Sequence, residues 1–211
     1  FRKGYLRKAI KISLPVGFEH FVVCAAQITS TKIVAPLGIV AIAANSFGIT
    51  AEALCYMPGY GIADAATTLV GQGIGAKKEN VAKYFAKIST MIGMVLMSAM
   101  AVIMFFAAPY IMAMLSADAK VVALGTKILR IEMFAEPMYA ASIVASGALR
   151  GAGDTFVPSL MNFGSIWLVR MPLSYLLSLS MGLRGMWFAM CIELIFRGSI
   201  FLYRLFKVRW W

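Results

Sequence analysis

Charged residues are scarce in this sequence of 211 residues: they make up 14% of it, against about 25% in an average soluble domain. Hydrophobic residues make up 61%, and the mean hydropathy is +0.82. A water-soluble fold cannot hide that much apolar surface, because its surface must be largely polar and charged. The composition therefore excludes an ordinary soluble domain and indicates a membrane protein.

Histidine and cysteine are also rare, with one histidine, His20, and three cysteines. A single histidine excludes a His-based metal cluster, and no Ser-His-Asp arrangement can be argued from the sequence. The cysteines, Cys24, Cys55 and Cys191, lie in apolar stretches without CxxC spacing, so we interpret them as small buried hydrophobes. The sequence predicts no enzyme, metal or cofactor, and a membrane-embedded enzyme is a distant alternative.

Long apolar stretches fill most of the chain, and glycine- or proline-containing breaks separate them. Crossing a hydrocarbon layer of about 30 Å takes roughly 20 helical residues. The pattern predicts an all-α membrane protein, a bundle of six transmembrane helices in one domain over residues 1–211. The opening FRKGYLRK, without a methionine, is typical of the middle of a longer protein rather than of a cleavable signal peptide. The predicted spans are residues 12–36, 39–69, 81–115, 121–149, 156–181 and 186–206.

Positive charge predicts the orientation of the bundle. The chain has 20 Lys and Arg residues against 9 acidic residues, a net charge of +11. The basic residues gather in clusters between the apolar stretches, which favours membrane topology over nucleic-acid binding. Because cytoplasmic loops are rich in Lys and Arg, we expect both termini on the cytoplasmic side of a plasma (inner) membrane. The clusters are Arg2, Lys3, Arg7, Lys8 and Lys11; Lys77, Lys78, Lys83 and Lys87; Arg150; and Arg204, Lys207 and Arg209.

Acidic residues within the predicted spans are the first functional candidates. A charge at the centre of a bilayer costs about 2.5–3.5 kcal/mol on insertion scales, so such residues are rarely kept without a role. The candidates are Glu19, Glu52, Asp64, Glu132 and Glu136.

Glu52, Tyr56, Tyr60 and Asp64 recur every fourth residue, which places them on one face of a helix. Carboxylates beside phenols can bind a proton or a metal cation, and aromatic faces can hold an organic cation. This face is therefore predicted to line a cavity. In the structural alternative, the tyrosines pack and the acids cap neighbouring helices.

Glu132 and Glu136 are spaced i,i+4, so their charges repel each other in a poorly solvated place and one carboxyl can carry a proton. Neutralisation by Lys127 or Arg130 is the alternative. Gln27 lies two turns beyond Glu19, where it either extends a polar track along the first helix or bonds two helices together.

Two other charged groups are predicted separately. Glu193 and Arg197 form an i,i+4 pair in the favourable order and are assigned to structure. Arg170 has no partner within its own helix and must find one on another helix or in water.

Three segments carry a resemblance to a known family. TTLVGQGIGAKKENVAKY (Thr67–Tyr84), GALRGAGDTFVP (Gly147–Pro158) and APLGIVAIAANSFGITAE (Ala35–Glu52) resemble lobes of the multidrug and toxic compound extrusion (MATE) family. The similarity extends over nearly the whole chain, and the order of the motifs makes it specific.

The resemblance implies a fold of twelve helices in two six-helix lobes, with a substrate cavity that opens alternately to each side. This chain resembles the C-terminal lobe, so its partners would be the N-terminal lobe or a second copy, the lipid bilayer and small organic, often cationic, substrates. The implied function is antiport, in which a proton or a sodium ion drives drug export. Some members of the family carry a coupling acid in the first helix of this lobe, and Glu19 matches its placement, whereas others rely on an aspartate in the N-terminal lobe.

Two further functions stay open. A lipid-linked oligosaccharide flippase of the same superfamily would have a strongly cationic central cavity. A non-transporting membrane module, which assembles with a partner through apolar faces, would turn no acid toward a water-filled space.

Overall fold

The computed structural model describes residues 3–207, and that part of the chain is helical almost throughout, with no β-strand. Arg2 and Arg209 lie outside the described residues. A 3-10 turn, Ala35–Leu37, follows the first helix, and a π-helical segment, Ser165–Arg170, joins the sixth helix to the seventh. The α-helices are α1 (Lys3–Val34), α2 (Ile39–Gly75), α3 (Glu79–Leu115), α4 (Ala119–Glu132), α5 (Glu136–Gly151), α6 (Phe156–Gly164), α7 (Met171–Met181) and α8 (Leu183–Lys207).

Within residues 3–207 these helices form six rods, each a single helix or two helical segments end to end. Four of the rods are long and apolar enough by themselves to cross a membrane: Val16–Leu37, Ile39–Gly75, Glu79–Leu115 and Leu183–Lys207. The other two are divided. A short turn separates α4 from α5, and the π-helical segment separates α6 from α7. The prediction of an all-α, multi-spanning bundle is confirmed.

Proline explains the two divided rods. Pro137 lies in the first turn of α5, and Pro172 is the second residue of α7. Proline has no N–H, and its ring disfavours the helical conformation of the residue before it, so both positions suit the start of a new helical segment. By contrast, Pro58 and Pro109 lie inside α2 and α3, which continue through them.

Small residues bring α2 and α5 into close contact. A Cβ at Gly147 would lie 2.6 Å from the carbonyl oxygen of Ala63, and one at Gly151 would collide with the carbonyl of Thr67. The Thr67 hydroxyl lies 2.8 Å from the carbonyl oxygen of Gly147 and donates a hydrogen bond to it. The glycines of GALRG, residues 147–151, thus allow α5 to pack closely against α2.

The outer faces of the bundle are apolar. On α3, for example, Val95, Ile103, Phe106 and Met114 are exposed, whereas the inner face carries small buried residues such as Ala86. An exposed apolar surface of this extent suits contact with lipid. The chain is a multi-pass membrane protein.

Candidate functional site

A cavity of about 570 Å³ opens between α1, α2, α5, the π-helical segment and α8. Its wall mixes aromatic, polar and charged side chains. Among the described residues, the charged ones on this wall are Glu19, Glu52, Asp64, Arg150, Arg170 and Arg197.

The structure places the i,i+4 face of α2 on the cavity wall, and Glu52, Tyr56, Tyr60 and Asp64 all line it. Glu52 is buried, with 7% of its surface exposed, while Tyr60 and Asp64 are exposed. The Tyr56 ring meets Tyr60 edge-to-face at 5.7 Å between ring centres. This helix therefore presents two carboxylates and two phenols to one space.

Tyr139 of α5 extends this aromatic surface. Its ring centre lies 5.9 Å from that of Tyr56, again edge-to-face. Tyr139 also contacts Arg197, whose guanidinium carbon lies 5.4 Å from the centre of the Tyr139 ring. Tyr139 was not among the residues predicted to line a cavity, because it lies on α5 and not on the Glu52–Asp64 face of α2.

Glu19 lies at one end of the cavity in a dense polar network. Arg150 donates to both of its carboxylate oxygens, at 2.7 and 2.8 Å. The Ser159 hydroxyl donates at 2.9 Å and the Asn162 amide at 2.8 Å. Three side chains from α5 and α6 therefore hold this carboxylate, and an arriving cation would have to displace or neutralise part of that network.

Gln27 also lines the cavity, with an exposed side chain, so it lies on the same wall as Glu19. His20, next to Glu19 in sequence, is exposed and is not one of the cavity residues. Adjacent helix positions point about 100° apart, which explains the difference.

Glu132 and Glu136, predicted as a proton-carrying pair, are not among the residues that line this cavity. Their surfaces are 0% and 1% exposed, and their carboxylate oxygens have no hydrogen-bond partner among the described residues. Arg130 is in none of the salt bridges among the described residues, and its Nε donates to the Phe105 carbonyl at 3.1 Å. Both carboxylates are therefore buried in the protein interior, where α4 ends and α5 begins.

The predicted pair of Glu193 and Arg197 is confirmed, with 3.1 Å between Oε1 and Nε. Ser165 donates its hydroxyl to the same carboxylate oxygen. Buried on α8, Glu193 fixes Arg197 against the cavity and also anchors the π-helical segment.

A tryptophan forms a further part of the wall. Trp187 donates its indole N–H to the Asn45 side chain at 3.0 Å, and both residues are buried. Buried indole groups usually have such a partner. The pair is 142 positions apart in sequence, so no local pattern predicts it.

A model of the MatE family matches residues 15–176, which include most of the cavity wall. The chain belongs to the MatE family. Among its relatives is a probable multidrug resistance protein NorM from Chromobacterium violaceum, 32% identical over 203 residues, covering 93% of this chain and 43% of the relative. A protein of the same name from Thermotoga maritima is 27% identical over 208 residues, covering 97% and 44%. The MatE chain thus spans less than half the length of these relatives.

Solved structures agree on the fold of this MatE chain. The Vibrio cholerae MATE transporter VcmN in its bent form matches with a TM-score of 0.92 at 15% identity, covering 99% of this chain and 48% of that one. A MOP superfamily transporter from Pyrococcus furiosus matches with a TM-score of 0.89 at 19% identity, covering 95% and 44%. Membership in a family of transporters agrees with the prediction that the chain is not an enzyme.

Proposed function

We propose that this chain is the C-terminal lobe of an exporter of drug-like organic molecules, driven by exchange for protons or sodium ions across a plasma (inner) membrane. The relatives named as multidrug resistance proteins support the substrate class. Basic residues gather in the turn between α2 and α3, where Lys78 lies, and near the end of α8, where Arg204 lies. Their positions support a cytoplasmic location for this turn and for the termini.

The observation that carries this proposal is the buried carboxylate of Glu52 on the wall of a cavity of about 570 Å³. No salt bridge among the described residues includes it. Arg170 and Arg197 lie near enough to act on it electrostatically. A cation or proton that binds to Glu52 neutralises a charge in a poorly solvated place. It therefore favours the conformation that binds it more tightly.

Three tyrosines give the cavity a surface for organic molecules. Tyr56, Tyr60 and Tyr139 contact one another edge-to-face or line the same wall. Their faces suit aromatic or cationic groups, with Asp64 and Gln27 exposed on the same wall. Substrate and ion would then compete for one polar space.

The remaining acids of the coupling set have different surroundings. Glu19 can take up an ion only in competition with Arg150. Glu132 and Glu136 lie behind the wall and would exchange protons rather than contact substrate. Glu52 is accordingly our first candidate for the coupling acid.

The charges of the cavity favour export over the two alternatives. Among the described residues the wall has three acids and three arginines, whereas a flippase for lipid-linked oligosaccharides should have a strongly cationic cavity. A non-transporting assembly module should turn no acid toward the cavity, yet Glu52 and Asp64 line it. The N-terminal lobe, or a second copy of this chain, would close the open side.

The test is drug efflux from proteoliposomes that contain the full-length parent protein, under an imposed proton or sodium gradient. Glu52→Gln should abolish gradient-driven efflux while it keeps the folded size and melting temperature. Glu19→Gln should lower efflux and also lower the melting temperature, because it breaks the ion pair with Arg150. Glu79→Gln is the matched control, because Glu79 is exposed in the first turn of α3. Efflux that responds to neither gradient in the wild-type protein would refute the proposal, and normal efflux by Glu52→Gln would dismiss that residue.

A further inference from the structure

Arg170 has a guanidinium group on the cavity wall, and none of the salt bridges among the described residues includes it. Its one hydrogen bond in the described structure goes from Nη2 to the thioether sulfur of Met190. A thioether is a weak acceptor, and a guanidinium has five N–H donors in a planar fork. Most of these donors therefore remain available to water or to a ligand in the cavity.

The backbone fixes this position. Arg170 is the last residue of the π-helical segment Ser165–Arg170, and Pro172 follows it at the start of α7. Segments of this kind are rare and occur frequently at functional sites. Ser165, the first residue of the segment, donates to the buried carboxylate of Glu193 on α8. The segment is thus anchored at one end and presents Arg170 to the cavity at the other.

Acids on the same wall complete the arrangement. Glu52 is near enough to Arg170 for an electrostatic interaction, and Asp64 is exposed three helical turns further along α2. Between them lie Tyr56 and Tyr60, which contact each other edge-to-face. The wall therefore offers a cationic fork, an aromatic surface and carboxylates in one space.

We propose that Arg170 binds an acidic group of the substrate, so that this lobe favours aromatic zwitterions, with a carboxylate as well as a cationic group, over simple organic cations. The planar fork pairs with a carboxylate through two parallel hydrogen bonds. The tyrosines hold the aromatic body, and Glu52 or Asp64 faces the cationic group, where a proton or sodium ion competes with it. This inference rests on the proposed function and specifies its substrate.

The experiment compares two fluorescent probes that differ by one charge. Rhodamine B has a free carboxylate beside its cationic dye, and its ethyl ester lacks that negative charge. Binding of each probe to the purified full-length parent protein is measured by fluorescence anisotropy. Arg170→Gln should weaken the binding of rhodamine B at least about tenfold, because one charge-assisted pair is lost, and should change the binding of the ester less than about twofold.

Two further variants make the result specific. Arg170→Lys keeps the charge without the fork and should restore part of the rhodamine B affinity. Arg184→Gln removes an exposed arginine outside the cavity and should leave both affinities unchanged.

Equal weakening of both probes by Arg170→Gln would overturn the inference, since it indicates a packing role or an ion pair with the other lobe. Unchanged binding of both probes would overturn it as well. Efflux of the same probes from proteoliposomes separates the two proposals. Gradient-driven efflux of rhodamine B that Arg170→Gln leaves unchanged contradicts only the inference, whereas efflux of neither probe under either gradient contradicts the proposed function.

Discussion

The guanidinium of Arg150 on α5 lies 2.7 and 2.8 Å from the two carboxylate oxygens of Glu19 on α1. Apart from this contact, α1 packs chiefly on α6 and α7. Ser159 and Asn162 of α6 donate to the same carboxylate. The network therefore joins α1 to the end of the central helix α5 through one acidic residue.

Removal of either charge of this pair should destabilise the protein. In Glu19→Gln the partly buried guanidinium loses its partner, and in Arg150→Gln the carboxylate does, so we expect a loss of about 1–3 kcal/mol in each single variant. The double variant should lose less than the sum of the two, because neither charge is then left unpaired. Thermal unfolding in detergent measures all three, and strictly additive effects would show that the pair contributes no coupling.

A methyl group on α5 should disturb its contact with α2. Gly147→Ala places a Cβ 2.6 Å from the Ala63 carbonyl oxygen, and Gly151→Ala places one against the Thr67 carbonyl. Backbone atoms cannot move aside cheaply, so we expect each variant to lose about 1–3 kcal/mol of stability. The melting temperature of the purified protein reports the change.

Gly61→Ala is the matched control for this prediction. Gly61 also lies inside a helix, α2, but nothing lies within 4 Å of an added Cβ. Alanine is the better helix former by about 1 kcal/mol, so this variant should be as stable as the wild type or slightly more stable. A comparable loss in all three variants would mean that close helix contact is not the cause.

We expect the buried carboxylate of Glu132 to make the protein less stable than an apolar side chain at this position would. It is completely buried at the last turn of α4, where the helix dipole disfavours negative charge, and its carboxylate oxygens have no partner among the described residues. Glu132→Met keeps the approximate volume and removes this cost, so we expect a gain of about 1 kcal/mol or more in stability.

Glu193→Met provides the contrast, measured in the same melting experiment. Glu193 is equally buried, but it accepts from Ser165 and pairs with Arg197, so its loss should lower stability. A loss of stability in Glu132→Met similar to that in Glu193→Met would contradict the difference between the two acids.

Hydrophobic length and helical spacing predicted the architecture and part of the cavity. Long apolar runs between glycine- or proline-containing breaks predict membrane-length helices, whichever helices they pack against. The i,i+4 spacing from Glu52 to Asp64 keeps four polar side chains on one face of α2. Both properties are local, so the sequence contains them directly.

Contacts between distant helices were beyond such patterns. Glu19 and Arg150 are 131 positions apart, and they meet through the packing of α1 against α6 and α7. Glu132 shows a related limit. It follows Val121, Gly125 and Ile128 at helical spacing on the buried face of α4, but that spacing does not tell whether the face meets a cavity or a packed interior. The π-helical segment before Pro172 likewise depends on its neighbours, including the buried carboxylate of Glu193.

The distribution of positive charge predicts the side of the membrane on which each loop lies. Lys78 lies in the lysine-rich turn between α2 and α3, and Ala117 lies in the turn between α3 and α4; both are exposed. Because basic loops stay in the cytoplasm, a cysteine at position 78 should be cytoplasmic and one at position 117 external. On a background without Cys24, Cys55 and Cys191, a membrane-impermeant maleimide should label Ala117→Cys in intact cells and Lys78→Cys only in inverted vesicles. The reverse labelling pattern would place both termini outside, and it would require the ion gradient to act on Glu52 from the opposite side.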